Sequence, residues 1–141
     1  MKKTFVFAVV SVLLLACLFS FTACNDSKLV GVYEMIDIEG TITIDGQTTY
    51  LTTDLYEFYT IELKKGGKAV VKSKASGSAG QYIENTATWT YDEGILKLKT
   101  SQGGMSVIEE MTLEDDIITF VSVQSAEGVA VNMTVTFKKQ S

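Results

Sequence analysis

Thr86-Ala87-Thr88-Trp89-Thr90-Tyr91-Asp92-Glu93-Gly94-Ile95-Leu96-Lys97-Leu98-Lys99-Thr100 is the stretch whose reading decides the fold class. Ala87, Trp89 and Tyr91 alternate with threonines, and after Asp92-Glu93-Gly94 the leucines at 96 and 98 alternate with Lys97 and Lys99. A period of two puts each set on its own face of a strand, and the glycine supplies the positive φ that a tight turn demands. The stretch reads as a β-hairpin with one apolar and one polar face.

The same grammar extends in both directions. β-prone runs occupy 30–39, 41–44 with 48–51, 56–63, 68–75, 84–91, 95–100, 107–113, 117–124 and 129–138. Between them stand Asp45-Gly46, Gly66-Gly67, Asp92-Glu93-Gly94, Glu114-Asp115-Asp116 and Ala126-Glu127-Gly128, while Ser76 to Gly80 and Ser101 to Gly104 are loops by composition. No window sustains a helical period. Ala69/Val71, Met111/Leu113, Ile118/Phe120 and Val131/Met133/Val135/Phe137 share the parity of the hairpin's apolar face and form the expected interior. The chain therefore reads as all-β, an antiparallel up-and-down meander of about eight strands that hides its edges by closing into a barrel, with a two-sheet β-sandwich as the alternative.

Composition removes whole classes of chemistry. The sequence has no histidine, and its twelve basic residues are all lysine. Ser-His-Asp and Cys-His nucleophiles, imidazole metal ligands and bidentate guanidinium clamps are therefore unavailable. Glu109, Glu110 and Glu114-Asp115-Asp116 lack the alternating oxygen ligands and central glycine of a calcium loop. No spacing identifies a glycosidase carboxylate pair, and Ser76 to Gly80 is not followed by the Lys-Ser/Thr of a phosphate loop. The expectation is a protein that is not an enzyme and carries no metal or cofactor.

Met1-Lys2-Lys3 followed by the apolar run 4–21 has the layout of a secretory signal peptide. Phe21-Thr22-Ala23-Cys24 resembles the lipobox of bacterial lipoproteins, with Phe21 where that family prefers Leu; the resemblance implies a diacylglyceryl group on the Cys24 thiol and cleavage just before it. Leu14-Leu15-Ala16-Cys17 is a rival box with the preferred Leu, but cleavage there leaves Leu18, Phe19 and Phe21 as an apolar N-terminus. Cys24 is followed instead by the polar tether Asn25-Asp26-Ser27-Lys28. An uncleaved membrane span is the other alternative, since about 20 apolar residues cross a bilayer; it leaves the Ala-Cys boundary unexplained. The expected organisation is a signal peptide over 1–23, a lipidated tether over 24–28 and one domain over 29–141, held outside the cytoplasm at a bacterial membrane. Loss of Lys2 and Lys3 leaves ten lysines against seventeen acidic residues, a formal charge of −7, which disfavours nucleic acid as a partner. Both cysteines, Cys17 and Cys24, belong to the leader and its boundary, so the domain is expected to hold no disulfide.

Over about residues 29–139 the domain resembles the small lipocalin-like (calycin) domains of bacterial lipoproteins. Gly31-Val32-Tyr33 stands where lipocalins have Gly-x-Trp, Thr86 to Trp89 with Tyr91 to Gly94 is similar to their Trp-bearing hairpin, and Phe137-Lys138-Lys139 fits the closing strand. Tyr33 replaces the Trp, and Lys138 or Lys139 would have to stand in for the Arg that packs across it. Thr53-Asp54-Leu55-Tyr56 is similar to the Thr-Asp-Tyr signature but comes too early, and reads as a turn.

The resemblance implies a small apolar ligand in the barrel lumen, with Tyr33, Trp89, Tyr91, Met111, Phe120 and Met133 as the candidate lining. The alternative is an envelope module that binds protein or serves structurally, in which these large side chains fill a solid core. Glu109 has the parity of Met111 and Leu113; either it faces inward and anchors a polar group, or a bulge near Gly104 or a place at the barrel rim turns it to water, the reading favoured by the cost of an unpaired buried carboxylate.

Overall fold

The computed structural model describes residues 27–77 and 81–141. Nine strands follow in order: β1 (Gly31–Ile44), β2 (Gln47–Tyr50), β3 (Tyr56–Lys64), β4 (Lys68–Ala75), β5 (Tyr82–Asp92), β6 (Ile95–Gln102), β7 (Met105–Glu114), β8 (Ile117–Ala126) and β9 (Val129–Lys139). A single 3-10 turn, Thr53–Leu55, is placed between β2 and β3. The expected signal peptide, Cys17, Cys24 and the first tether residues lie outside the described residues.

All pairings are antiparallel, in the order β2-β1-β3-β4-β5-β6-β7-β8-β9, and β1 pairs back with β9 from Tyr33↔Lys139 to Ile44↔Val129. That ladder joins β1 and β3 to β9 into a closed barrel of eight strands, with β2 an added arm on β1. The barrel is compatible with a lipocalin-like fold, and its closure removes the sandwich alternative, which needs two separate sheets.

Turn chemistry produces the meander as the sequence suggested. Asp45-Gly46, Glu93-Gly94, Gly103-Gly104 and Asp115-Asp116 all place both central residues at positive φ, the geometry whose twist matches the flanking strands. The boundaries differ from the sequence reading in that β5, β7 and β8 run one or two residues further, Ser101 and Gln102 belong to β6 and not to a loop, and Gly40 does not end a strand. The runs 30–39 and 41–44 are a single strand, because Gly40 adopts φ +134° and carries β1 past β9 without ending it. A Cβ there would lie 2.0 Å from the Asn132 carbonyl oxygen, so only glycine allows this approach.

The two halves of the barrel are built differently. At the end where β1 begins, Tyr33, Leu63, Leu96, Leu98, Ile118 and Phe137 are at most 1% exposed, with Trp89, Met111 and Leu113 buried among them. Here all eight walls are laddered. Toward the other end, two seams part. β1 and β3 pair only over Gly31–Glu34 and Thr60–Leu63, and β7 and β8 only over Thr112–Glu114 and Ile117–Thr119. β2 and the 3-10 turn follow β1 where the first seam parts, and Leu51 N–H donates to the Gly40 carbonyl there at 2.9 Å.

Candidate functional site

The inner face of the open half remains apolar but is not covered. Met105 is 74% exposed, Ile44 and Ile83 53% each and Val107 49%. Each shares the inward parity: Ile44 pairs with Val129, Val107 with Thr100, and Ile83 with Ser73. Uncovered apolar side chains lining a concave surface are the usual character of a ligand site, in contrast to singly scattered surface residues.

Deeper in, Ile38, Ile42, Leu51, Leu55, Tyr56, Ala75 and Met133 line a cavity of about 280 Å³, near the lower bound of roughly 300 Å³ for small-molecule pockets. Its wall depends on two irregularities. A register shift between Met35 and Asp37 adds one residue to β1, so Ile38 and Ile42 face Val135 and Val131 on the inside. A second shift between Tyr56 and Phe58 brings both Tyr56 and Tyr59 to the inner side of β3, opposite Ala75 and Ser73. Glu57, at that shift, pairs with Lys74 at 2.6 Å.

The two tyrosines and Phe137 form an aromatic ledge between the open and filled halves. Tyr56 and Tyr59 have ring centroids 5.4 Å apart, and Tyr59 meets Phe137 edge-on at 5.1 Å, within the range of favourable aromatic contacts. Burial pushes the Tyr59 phenol up to about 12, and the nearby Glu109 charge adds to it, followed by Tyr56. Glu109 thus faces inward, contrary to the favoured expectation of a bulge or a rim position facing water. The physical reason is that Gly103-Gly104 makes a two-residue turn, and the β6–β7 register runs unbroken from Gln102↔Met105 to Ile95↔Thr112, which keeps Glu109 opposite buried Leu98. The cost of burying its carboxylate is limited because the open half leaves it only half-buried.

The six residues expected to line a site divide between the halves. Met133 lines the cavity and Phe120 is half-buried opposite Val135. Tyr33, Trp89 and Met111 belong to the filled half, at 0%, 4% and 6% exposure, and Tyr91 directs its hydroxyl to the Leu113 carbonyl at 3.5 Å near the same end. Tyr33 is likewise pushed up to about 12, first by burial and then by the Asp116 charge and Tyr91. No protein-family model, curated protein or solved structure matches the chain. The site is therefore argued from its own geometry. A more open hollow of about 390 Å³ beside Thr86, Lys99 and Ser101 and a smaller one beside Thr90, Lys97 and Ile108 are lined mainly by outward-parity residues of β5 to β7.

Tyr56, Tyr59, Ile38, Ile42, Leu51, Leu55 and Ala75 were not among the expected lining. Strict alternation puts Tyr56 and Tyr59 on opposite faces, and only the added residue at Glu57 reconciles them. No residue type in 56–59 announces that shift.

Proposed function

We propose that the chain is an extracytoplasmic lipoprotein, anchored through lipid on Cys24, whose lipocalin-like barrel binds a small apolar ligand in its open half. The observation that carries the ligand reading is the combination of the Tyr56-lined cavity with an uncovered apolar inner face around it. Burying that face against a ligand recovers roughly 25 cal/mol per Å² of apolar surface removed from water. Lys139 lies directly opposite Tyr33, and a Cβ on Gly31 would fall 2.6 Å from its Cε. The lysine stem therefore packs over Gly31 at the head of the strand that carries Tyr33, in keeping with the resemblance to lipocalins. The anchor rests on the leader and lipobox.

A neutral polarity-sensitive dye such as Nile red tests the ligand reading. Saturable enhancement is expected with the native domain and should be lost in Ala75→Phe, which fills the cavity while circular dichroism stays β-type. Absence of any saturable signal with the native domain would reject a ligand site.

A second reading, an envelope module that binds protein, is favoured by Ile108, Val121 and Val123, exposed by 59%, 57% and 73% on the outer faces of β7 and β8 beside their parted seam. Retention of Nile red binding together with loss of a pulled-down partner in Val123→Lys would distinguish an added protein surface from the lumen.

A further inference from the structure

We infer that the lumen ligand carries a cationic amine on an apolar body, with Glu109 as the counter-charge and the Tyr56 and Tyr59 rings, backed by buried Phe137, as the surface on which the cation rests. This rests on the reading of the open half as a ligand site and names the chemistry of its occupant.

Three observations converge on it. First, β3 and β7 are four places apart in the eight-strand ring, so Tyr59 and Glu109 face the lumen from opposite walls, and the Glu109 charge acts on the Tyr59 phenol. Second, the inner face of the open half is otherwise neutral among the described residues: its polar positions are Ser73, Asn85, Thr100, Ser122 and Gln124. No lysine occupies an inward position there. Lys97 and Lys74 are engaged on the outside by Glu110 and Glu57, at 2.9 Å and 2.6 Å. Glu109 makes no ion pair among the described residues, so its charge is available to something that enters. Third, Tyr56 joins the cavity wall to the ledge, with Tyr59 5.4 Å beyond it.

A carboxylate across the lumen from tilted aromatic rings is selective in a simple way. An ammonium gains from the ring quadrupoles and from the carboxylate together. A fatty carboxylate meets like-charge repulsion from Glu109, and a neutral alcohol gains only its hydrogen bond. Apolar chain burial is common to all three.

Decylammonium, decanol and decanoate, below their aggregation concentrations, separate these terms by calorimetric titration of the native domain. Decylammonium is expected to bind at least about tenfold more tightly than decanol, with decanoate weakest. Glu109→Gln, whose amide oxygen can still accept the alcohol's hydrogen bond, should bring decylammonium and decanol to comparable affinity. Glu110→Gln, which makes the same change in net charge on the outer face, should leave the preference intact. Equal binding of the three probes, or equal effects of the two substitutions, overturns the amine assignment while the apolar site stands. Failure of all three to bind the folded domain overturns both readings.

Discussion

The indole N–H of Trp89 donates to the carbonyl of Lys64 across 2.9 Å, and the backbone N–H of the same residue donates to Gly67 at 2.8 Å. One residue on β5 thereby fastens both ends of the turn between β3 and β4, through its side chain at one end and its backbone at the other. Trp89→Phe keeps most of the packing and loses the indole bond, so about 1 kcal/mol of stability should disappear in urea denaturation. Trp89→Ala should cost roughly 3–5 kcal/mol by leaving a cavity. Since the indole sits in the filled half, its emission should follow unfolding and change little on ligand titration.

Gly40 and Gly46 make a controlled comparison. Both have positive φ, +134° and +81°, but a Cβ at Gly40 meets Asn132 backbone at 2.0 Å whereas one at Gly46 meets nothing within 4 Å. Gly46→Ala should cost about 1 kcal/mol, the left-handed backbone penalty alone. Gly40→Ala should cost about 3 kcal/mol or more, because β9 must move. Thermal denaturation of the two variants checks the difference, and equal losses would show that the close approach is not what demands glycine at 40.

Glu93 holds φ +46° ahead of Gly94. Asparagine tolerates that conformation better, and Asn-Gly is the favoured pair for this turn. Glu93→Asn should stabilise the domain by about 0.5–1 kcal/mol, read as a higher urea midpoint with an unchanged slope.

Alkaline titration should place Tyr33 and Tyr59 last among the six tyrosines, with Tyr82 also raised, first by its hydrogen bond to Glu84. Tyr33 and Tyr59 are held near 12 against an ordinary value of 10, first of all by burial. Their folded values lie above their unfolded ones, so the stability they contribute is complete below pH 10 and is lost as pH rises through about 12. Absorbance at the phenolate band should show two late ionisations accompanied by loss of β-type circular dichroism. Tyr59→Phe should leave one.

The proposed lipid anchor has its own test. Metabolic labelling with a fatty acid should mark the native protein and fail in Cys24→Ser. Persistent label in that variant, with loss in Cys17→Ser, would move the anchor to the earlier box.

The legible part of this fold is the part governed by alternation and turn residues. Trp89, Leu96, Leu98, Met111 and Val135 were assigned inward by parity and are buried, because a two-residue period survives wherever a ladder runs without interruption. What the sequence hid are departures from that period. The added residues near Ile36 and Glu57 shift which side chains face the lumen, and Gly40 joined two runs that its glycine appeared to divide. The candidate site lies where these departures concentrate, so the filled half was readable and the open half was not. Glu109 was misjudged for the opposite reason: its register is regular, and the burial cost weighed against it is lowered by a mouth that only the parted seams create.

The short ladder between β7 and β8 has a mechanical meaning. Beyond Thr112 and Thr119 the β7–β8 ladder ends, and beyond Glu34 and Thr60 the β1–β3 ladder ends, so the run of strands from β3 to β7 is laddered to β8 and β1 only at the filled end. Any change in the gape of the lumen would therefore be taken up at those two short ladders and leave the remaining backbone pairing of the barrel intact.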